Sequence, residues 1–271
     1  MAHICQTLGI SRTAYYFWKS RKESVRDLAD GELSPVVGNI FRQHRRRYGA
    51  RRIVKELQSM GYTCSRSRAR KIMVQLNLVA IQPRSFKPRT TASNHRLGYS
   101  PNLLAEGVEV TCWNQVWVGD ITYVGLQSQF AYLALLMDLY SRKIIGWAFD
   151  LTMAESLVLT ALQQAIRQRQ PAPGLLHHTD RGGQYAGSEY RAVLARADMR
   201  QSMSRAGDCY DNAFMESCFG TIKTELEMTS YQSLDQAQRE IEEYINYYNA
   251  IRRHSSLEYL SPTSFELTHQ T

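Results

Sequence analysis

No run of about eighteen consecutive apolar residues occurs in this chain of 271 residues, so the sequence offers no membrane-spanning helix. The N-terminus, MAHICQTLGIS, lacks the layout of a signal peptide. Cysteine is sparse and odd in number: Cys5, Cys64, Cys112, Cys209 and Cys218 are scattered and form no Cys-x-x-Cys pair, so neither a zinc ribbon nor a disulfide framework is indicated. Acidic residues are scarce in the first hundred positions, where 5 Asp+Glu face 20 Lys+Arg, whereas residues 101–271 carry 20 against 13. The formal net charge of +8 therefore hides a strongly basic front joined to an acidic remainder. That asymmetry is expected of a nucleic-acid-binding module attached to a metal-dependent core; the bland alternative is a merely soluble basic surface.

Four stretches follow from periodicity and punctuation. Residues 1–28 contain Leu8-Gly9-Ile10-Ser11-Arg12-Thr13-Ala14-Tyr15-Tyr16, a Gly turn and Ser cap like the second half of a helix-turn-helix. Too short to fold alone, this stretch is expected to be completed by another chain or by further residues. Residues 34–78 carry three helical stripes: Val37, Ile40 and Phe41; Ile53, Val54 and Leu57; Ala69, Ile72, Met73 and Leu76. The third helix, starting near Ser65 or Ser67, bears Arg66, Arg68, Arg70 and Lys71, as a helix entering a major groove would; Arg51 and Arg52 beside Arg45–Arg47 add to the basic surface. A small basic bundle packed on its own core is the competing reading. Residues 79–111 lose periodicity and read as an extended basic linker.

Residues 112–265 give strands at 115–124, 130–138 and 142–149, a helix over 154–168, a buried strand over 175–179, a helix over 188–197, a strand over 200–204 and further helices. Asp211 or Asn212 is the expected N-cap of the helix that carries Glu216. Three meandering strands followed by alternating helices and strands indicate a mixed sheet of five strands covered by helices.

Three carboxylates stand in unusual contexts. Asp120 interrupts the β-prone run WVGDITYV, where a charge is costly unless paired or metal-bound. Asp180 ends a short buried run in LLHHTDRGGQY, although Thr-Asp-Arg-Gly-Gly is also a good turn. Glu216 lies early in a helix and taken singly is an ordinary surface residue. Together they have the donor chemistry of a two-metal phosphoryl-transfer site, since hard divalent cations take oxygen ligands. His177 and His178 as metal ligands are disfavoured, because neighbours on a strand point to opposite faces. Arg181 and His178, flanking Asp180, are candidates to touch DNA or to orient the carboxylate. So is the tail Arg252-Arg253-His254, whose preceding Tyr and Ile residues pack a final helix by their spacing. Asp138 and Asp208 are left outside the triad.

WVGDITYV, YLALLMDLYSRKIIGWAF, HTDRGGQY, DCYDNAFMESCFGTIKTEL and YNAIRRHSSLEYLSPTSFE, in that order, resemble the second-frame product (OrfB) of insertion sequences of the IS3 family. The resemblance extends upstream through LGISRTAYYFW and RRRYGARRI. It implies an α/β RNase H-like catalytic core, related to retroviral integrase, preceded by an all-α region of helix-turn-helix type. Asp120, Asp180 and Glu216 would then form an Asp-Asp-Glu triad holding two Mg²⁺ or Mn²⁺ ions. Lys223, seven residues after Glu216, would contact terminal DNA near the scissile phosphate; a solvated helix Lys is the plainer alternative. Implied too are a polynucleotidyl transferase nicking 3′ ends and transferring strands, double-stranded DNA partners (terminal inverted repeats and target), and a homo-oligomer on paired ends. The resemblance further implies a first-frame (OrfA) partner or fusion and a cytoplasmic, nucleoid-associated location. An accessory or regulatory DNA-binding subunit, or a nuclease of the same fold without strand joining, are the alternatives.

Overall fold

The computed structural model describes residues 1–20, 24–83, 98–205, 213–227 and 231–269. The chain divides into two compact units, Met1–Ala80 and Ile81–Thr271.

The first unit is helical: α1 (Ala2–Thr7), α2 (Arg12–Ser20), α3 (Val25–Gln43), α4 (Ala50–Ser59) and α5 (Arg66–Gln75). Ser24 starts α3 through a reciprocal capping box with Asp27, and Ser65 starts α5 by accepting the Arg68 N–H. The three expected stripes form the core except for Leu76, which is exposed just past the end of α5, with Leu33, Val37, Ile40, Phe41, Ile53, Leu57, Ala69 and Ile72 all buried. The expected boundary between residues 28 and 34 is not there, because α3 runs through it. Ser34-Pro35 imitates a cap followed by a first helical residue, yet Pro35 lies inside the helix. Tyr48, fully buried, stacks on His44 at 3.8 Å and closes the α3–α4 connection, in which Arg45 and Arg46 take positive φ.

The second unit is a five-stranded sheet of order β3-β2-β1-β4-β5, with β1 (Val116–Gly125) at its centre. β2 (Phe130–Asp138) is antiparallel to β1 and to β3 (Ile144–Asp150), whereas β4 (Leu176–Thr179) runs parallel to β1 and to β5 (Arg200–Met203). Alternation along β1 splits its side chains between two cores. Val116, Val118 and Val124 face α8 (Ala213–Glu225) and α9 (Leu234–Ala250), where Met215, Cys218, Phe219 and Ile222 form the apolar stripe of α8. Trp117 faces α6 (Glu155–Arg169) and α7 (Ser188–Arg196). Helix α10 (Pro262–Thr268) is tied to the sheet by Glu266, which accepts from Arg169, Lys143 and Ser141. This is the RNase H-like core that the resemblance implied, with a mixed sheet between two helical layers.

Two features complete the sheet. Gly146 lets α6 approach β3 so closely that a Cβ there would lie 2.2 Å from the Ala161 carbonyl oxygen. At the β3 edge the Asn249 carboxamide pairs with both N–H and C=O of Ile144, as a neighbouring strand would. At the other edge Ser100 donates to Gln201 and Met203 N–H donates to Pro101, so residues 100–103 belong to this unit and the expected linker ends earlier than residue 111. The middle of that linker, residues 84–97, lies outside the described residues, as do Asp208 and the expected cap Asp211 or Asn212.

Candidate active site

The parallel ladder between β1 and β4 ends at Gly119 opposite Thr179, and the next residue on each strand is a carboxylate, Asp120 and Asp180. Both have the parity of the α8-facing side chains, Val118 on β1 and Leu176 on β4. Beyond the ladder Ile121 N–H has no β4 partner and donates to Asp120 Oδ1 at 2.8 Å. Gly182 N–H donates to Asp180 Oδ1 at 2.9 Å, and a Cβ at Gly182 would crowd that oxygen and Gln184 Oε1, each at 3.0 Å.

Helix α8 supplies the remaining charges. Glu216 is exposed in its first turn, one position after buried Met215; Lys223 follows seven residues later, one position after buried Ile222. Burial, and next the charge of Asp180, push the Asp120 carboxyl well above the usual carboxylate range; the Ile121 amide opposes this, Glu216 adds to it and Lys223 relieves it. Lys223 is lowered by its own burial and raised again by Asp120. Its ammonium also lies 4.4 Å from the centre of the Tyr123 ring. The fold thus brings Asp180, Glu216 and Lys223 within electrostatic reach of Asp120. Among the described residues no three His, Cys, Asp or Glu side chains are gathered tightly enough to hold an ion as they stand. The donor set of hard carboxylate oxygens, without thiolate or imidazole, suits a divalent cation such as Mg²⁺.

Sequence-family models for the Integrase core domain match residues 110–209 and 197–262, and one for an HTH-like domain matches residues 29–86. The chain is 41% identical over 270 residues to the insertion element IS600 uncharacterized 31 kDa protein of Shigella sonnei, covering 98% of this chain and 99% of that one. It is 39% identical over 251 residues to the transposase for insertion sequence element IS904 of Lactococcus lactis, covering 91% and 98%. Identity to transposase InsF for insertion sequence IS3A of Escherichia coli is 36% over 267 residues, covering 97% and 92%. The chain belongs to the IS3 family of insertion-sequence transposases. Asp120 and Asp180 of this transposase fall in the first integrase-core match, Glu216 and Lys223 in the second.

Other side chains expected to meet DNA are differently employed. His178 is fully buried and its Nδ1 pairs with Ser202 Oγ at 2.8 Å, so it is a core residue and not a DNA contact; short β4 is sandwiched between β1 and β5. His177 points the opposite way, to Tyr190 Oη at 2.7 Å. Arg181 is half-buried, donates to the Ser204 carbonyl and lies over the Tyr99 ring. Arg252 and His254 are buried as well. Arg252 donates to both Glu225 oxygens, Tyr244 Oη donates to Glu225 Oε2 at 2.9 Å, and Arg253 donates to the Tyr259 carbonyl.

In the first unit Arg68 and Lys71 of α5 both turn back onto buried Asp30 of α3, whereas Arg66 and Arg70 are exposed. Arg51 is exposed, and Arg52 packs toward the Tyr48 ring. The basic stripe read from α5 is therefore two stripes, one of them ion-paired to Asp30. Sequence reasoning passed over Tyr123, whose ring lies under the Lys223 ammonium, and the Glu225–Arg252 pair.

Proposed function

We propose that this chain nicks the 3′ ends of an insertion sequence and joins them to target DNA, using Asp120, Asp180 and Glu216 as ligands for divalent cations. The observation that carries the reading is the placement of Asp120 and Asp180 side by side, one residue beyond the end of the β1–β4 ladder, where burial and the charge of Asp180 raise the Asp120 carboxyl. Carboxylates brought together at such a cost in desolvation and repulsion are explained by a cation that they are built to receive. Two Mg²⁺ or Mn²⁺ ions bound there would activate the attacking oxygen and stabilise the leaving 3′ oxygen of an in-line displacement at phosphorus.

The chain's own residues divide the remaining work. The Ile121 and Gly182 amides fix the rotamers of the two aspartates. Glu216, on a helix and exposed, closes the set from the solvent side. Lys223 offers a cation to a phosphate on the same side and partly offsets the repulsion among the acids. The exposed arginines Arg51, Arg66 and Arg70 supply phosphate and base contacts to the element's terminal repeat. Paired ends call for a homo-oligomer. Phe17 and Trp18 of α2, 73% and 70% exposed, support a first-frame partner or fusion that covers them.

The test is a Mg²⁺-dependent cleavage and strand-transfer assay on labelled element-end DNA with the wild type and the Asp120→Asn, Asp180→Asn and Glu216→Gln variants. Loss of both steps in each variant with DNA binding retained is expected. Binding without cleavage in the wild type, persisting when the first-frame product is added, would instead make this chain an accessory subunit.

A further inference from the structure

Strands β1, β4 and β5 run parallel and their ladders end level, Gly119 opposite Thr179 and Thr179 opposite Met203. One residue further on, Asp120, Asp180 and Ser204 stand in a row along the carboxyl rim of these strands, the side on which open α/β sheets bind their ligands. Neighbouring strands lie about 4.8 Å apart, so Ser204 stands on the order of 10 Å from Asp120. Arg181 leaves this row toward β5: its Nε donates to the Ser204 carbonyl at 2.8 Å, and its guanidinium lies 4.7 Å from the centre of the Tyr99 ring. Tyr99 is set there by fastened neighbours. Before it, the Gly98 carbonyl accepts from Arg191 of α7. After it, Ser100 Oγ donates to Gln201 Oε1 at 2.8 Å, Met203 N–H to the Pro101 carbonyl at 3.2 Å and Leu103 N–H to Ser202 Oγ at 3.0 Å. The ring thus has a guanidinium against one face, and Tyr99 is still 40% exposed, whereas Tyr190 of α7, a packing residue, is fully buried.

We propose that the Tyr99 ring stacks on an unpaired nucleobase flanking the phosphodiester held at Asp120 and Asp180. The inference rests on the acidic-site reading above and adds to it the group that holds the neighbouring base. An exposed aromatic ring beside a fixed cation is the combination by which proteins grip single-stranded nucleic acid, the ring taking the face of a base. Arg181 is the support. Tied to Ser204 and covered by the ring, it carries the platform one residue from Asp180. A base inside a duplex has both faces taken by its neighbours, so the ring selects a nucleotide that has left the stack, at a cost that is least where pairing is already broken. Stacking of this kind tolerates any base, so it positions the strand without reading its sequence.

Tyr99→Leu removes the ring and Tyr99→Phe keeps it. The probe is element-end duplex DNA with 2-aminopurine at the nucleotide beside the scissile phosphate, either paired with thymine or placed opposite a mismatch. Binding to the full chain is measured with Ca²⁺, which takes the same oxygen ligands at longer distance, in place of Mg²⁺. Anisotropy reads affinity, 2-aminopurine emission reads stacking, and near-ultraviolet circular dichroism confirms each fold. The wild type and Tyr99→Phe are expected to quench the mismatched probe and to bind it more tightly than the paired one. Tyr99→Leu is expected to leave it bright and to bind it roughly tenfold more weakly, the share of one stacked base. A mismatched probe that stays bright in the wild type, or quenching and affinity unchanged in Tyr99→Leu, overturns the proposal. An equal loss in Tyr99→Phe would assign the contact to the hydroxyl and reject it. A loss in Tyr99→Leu that is the same on paired and mismatched DNA would reduce the ring to packing and also reject it. Mg²⁺-dependent cleavage of the same DNA by the wild type reports the acidic-site reading separately. Quenching that depends on Tyr99 in a protein that does not cleave supports the stacking and removes only that reading.

Discussion

The Lys223 ammonium lies 4.4 Å from the centre of the Tyr123 ring, three residues along β1 from Asp120. One face of the cation is therefore covered by an aromatic ring while its charge still bears on the aspartate. Lys223 is half-buried, and its desolvation is repaid in part by the ring and by Asp120.

Replacing Lys223 separates two roles. If it meets a phosphate, Lys223→Gln lowers affinity for element-end DNA and reduces the slope of log affinity against log salt by about 0.9, the share of one phosphate contact. Binding isotherms at several salt concentrations measure this. An unchanged slope together with a lower melting temperature would leave Lys223 as a packing residue over Tyr123.

Asp120 gives a pH dependence of definite sign. Its carboxyl is raised in the folded chain, so the folded state binds the proton more tightly than the unfolded state does. Stability must then fall as pH rises from the ordinary aspartate value of about 3.8 through the raised one, with the penalty fully expressed above it. Metal-free Asp120→Asn is expected to melt above the wild type at pH 7 to 8, and the difference should shrink as the pH is lowered toward 4. Added Mg²⁺ should stabilise the wild type and not the variant. Thermal melts across pH, with and without the ion, check both signs; a wild type more stable than Asp120→Asn at pH 8 without metal would contradict them.

The α5 arginines give a third test. Arg66→Ala and Arg70→Ala are expected to weaken DNA binding and lower its salt dependence, with the fold unaffected. Arg68→Ala should instead lower the melting temperature, because Asp30 loses the partner that does most to keep its carboxyl below the usual range. A salt slope that falls with Arg68→Ala as much as with Arg70→Ala would return Arg68 to the DNA surface.

This division explains what the sequence could and could not show. Strands and helices of the catalytic core were legible because each element carries a clear period, and Asp120 stood out because a charge inside a β-prone run is anomalous. The start of α3 was hidden because Ser34-Pro35 has the chemistry of a helix start inside a longer helix. Roles of the basic residues were hidden because their partners are remote in sequence: Arg68 lies 38 positions from Asp30, and Arg252 lies 27 from Glu225. A charged residue looks solvent-facing or DNA-facing until the fold supplies its counter-ion. His178 was misjudged for a related reason: proximity to Asp180 in the chain says nothing about burial between two neighbouring strands.

The pair Glu225–Arg252 ties the last turn of α8, which carries Lys223 at its solvent edge, to the end of α9. Burial works against the Arg252 charge, but the hydrogen bonds and charge of Glu225 outweigh it and keep the guanidinium protonated. Removing one partner of such a buried pair leaves the other charge unpaired, so Arg252→Met alone should destabilise the fold by about 3–5 kcal/mol. The double variant Glu225→Met with Arg252→Met exchanges both charges for apolar groups of similar length and should recover most of that loss. Residual cost in the double variant falls on Tyr244, whose hydroxyl would lose the Glu225 acceptor. Chemical denaturation of the four members of the cycle measures the coupling. Additive effects would show that the pair does not act as a unit, and restored stability without restored cleavage would show that the ionic geometry also sets where α8 places Glu216 and Lys223.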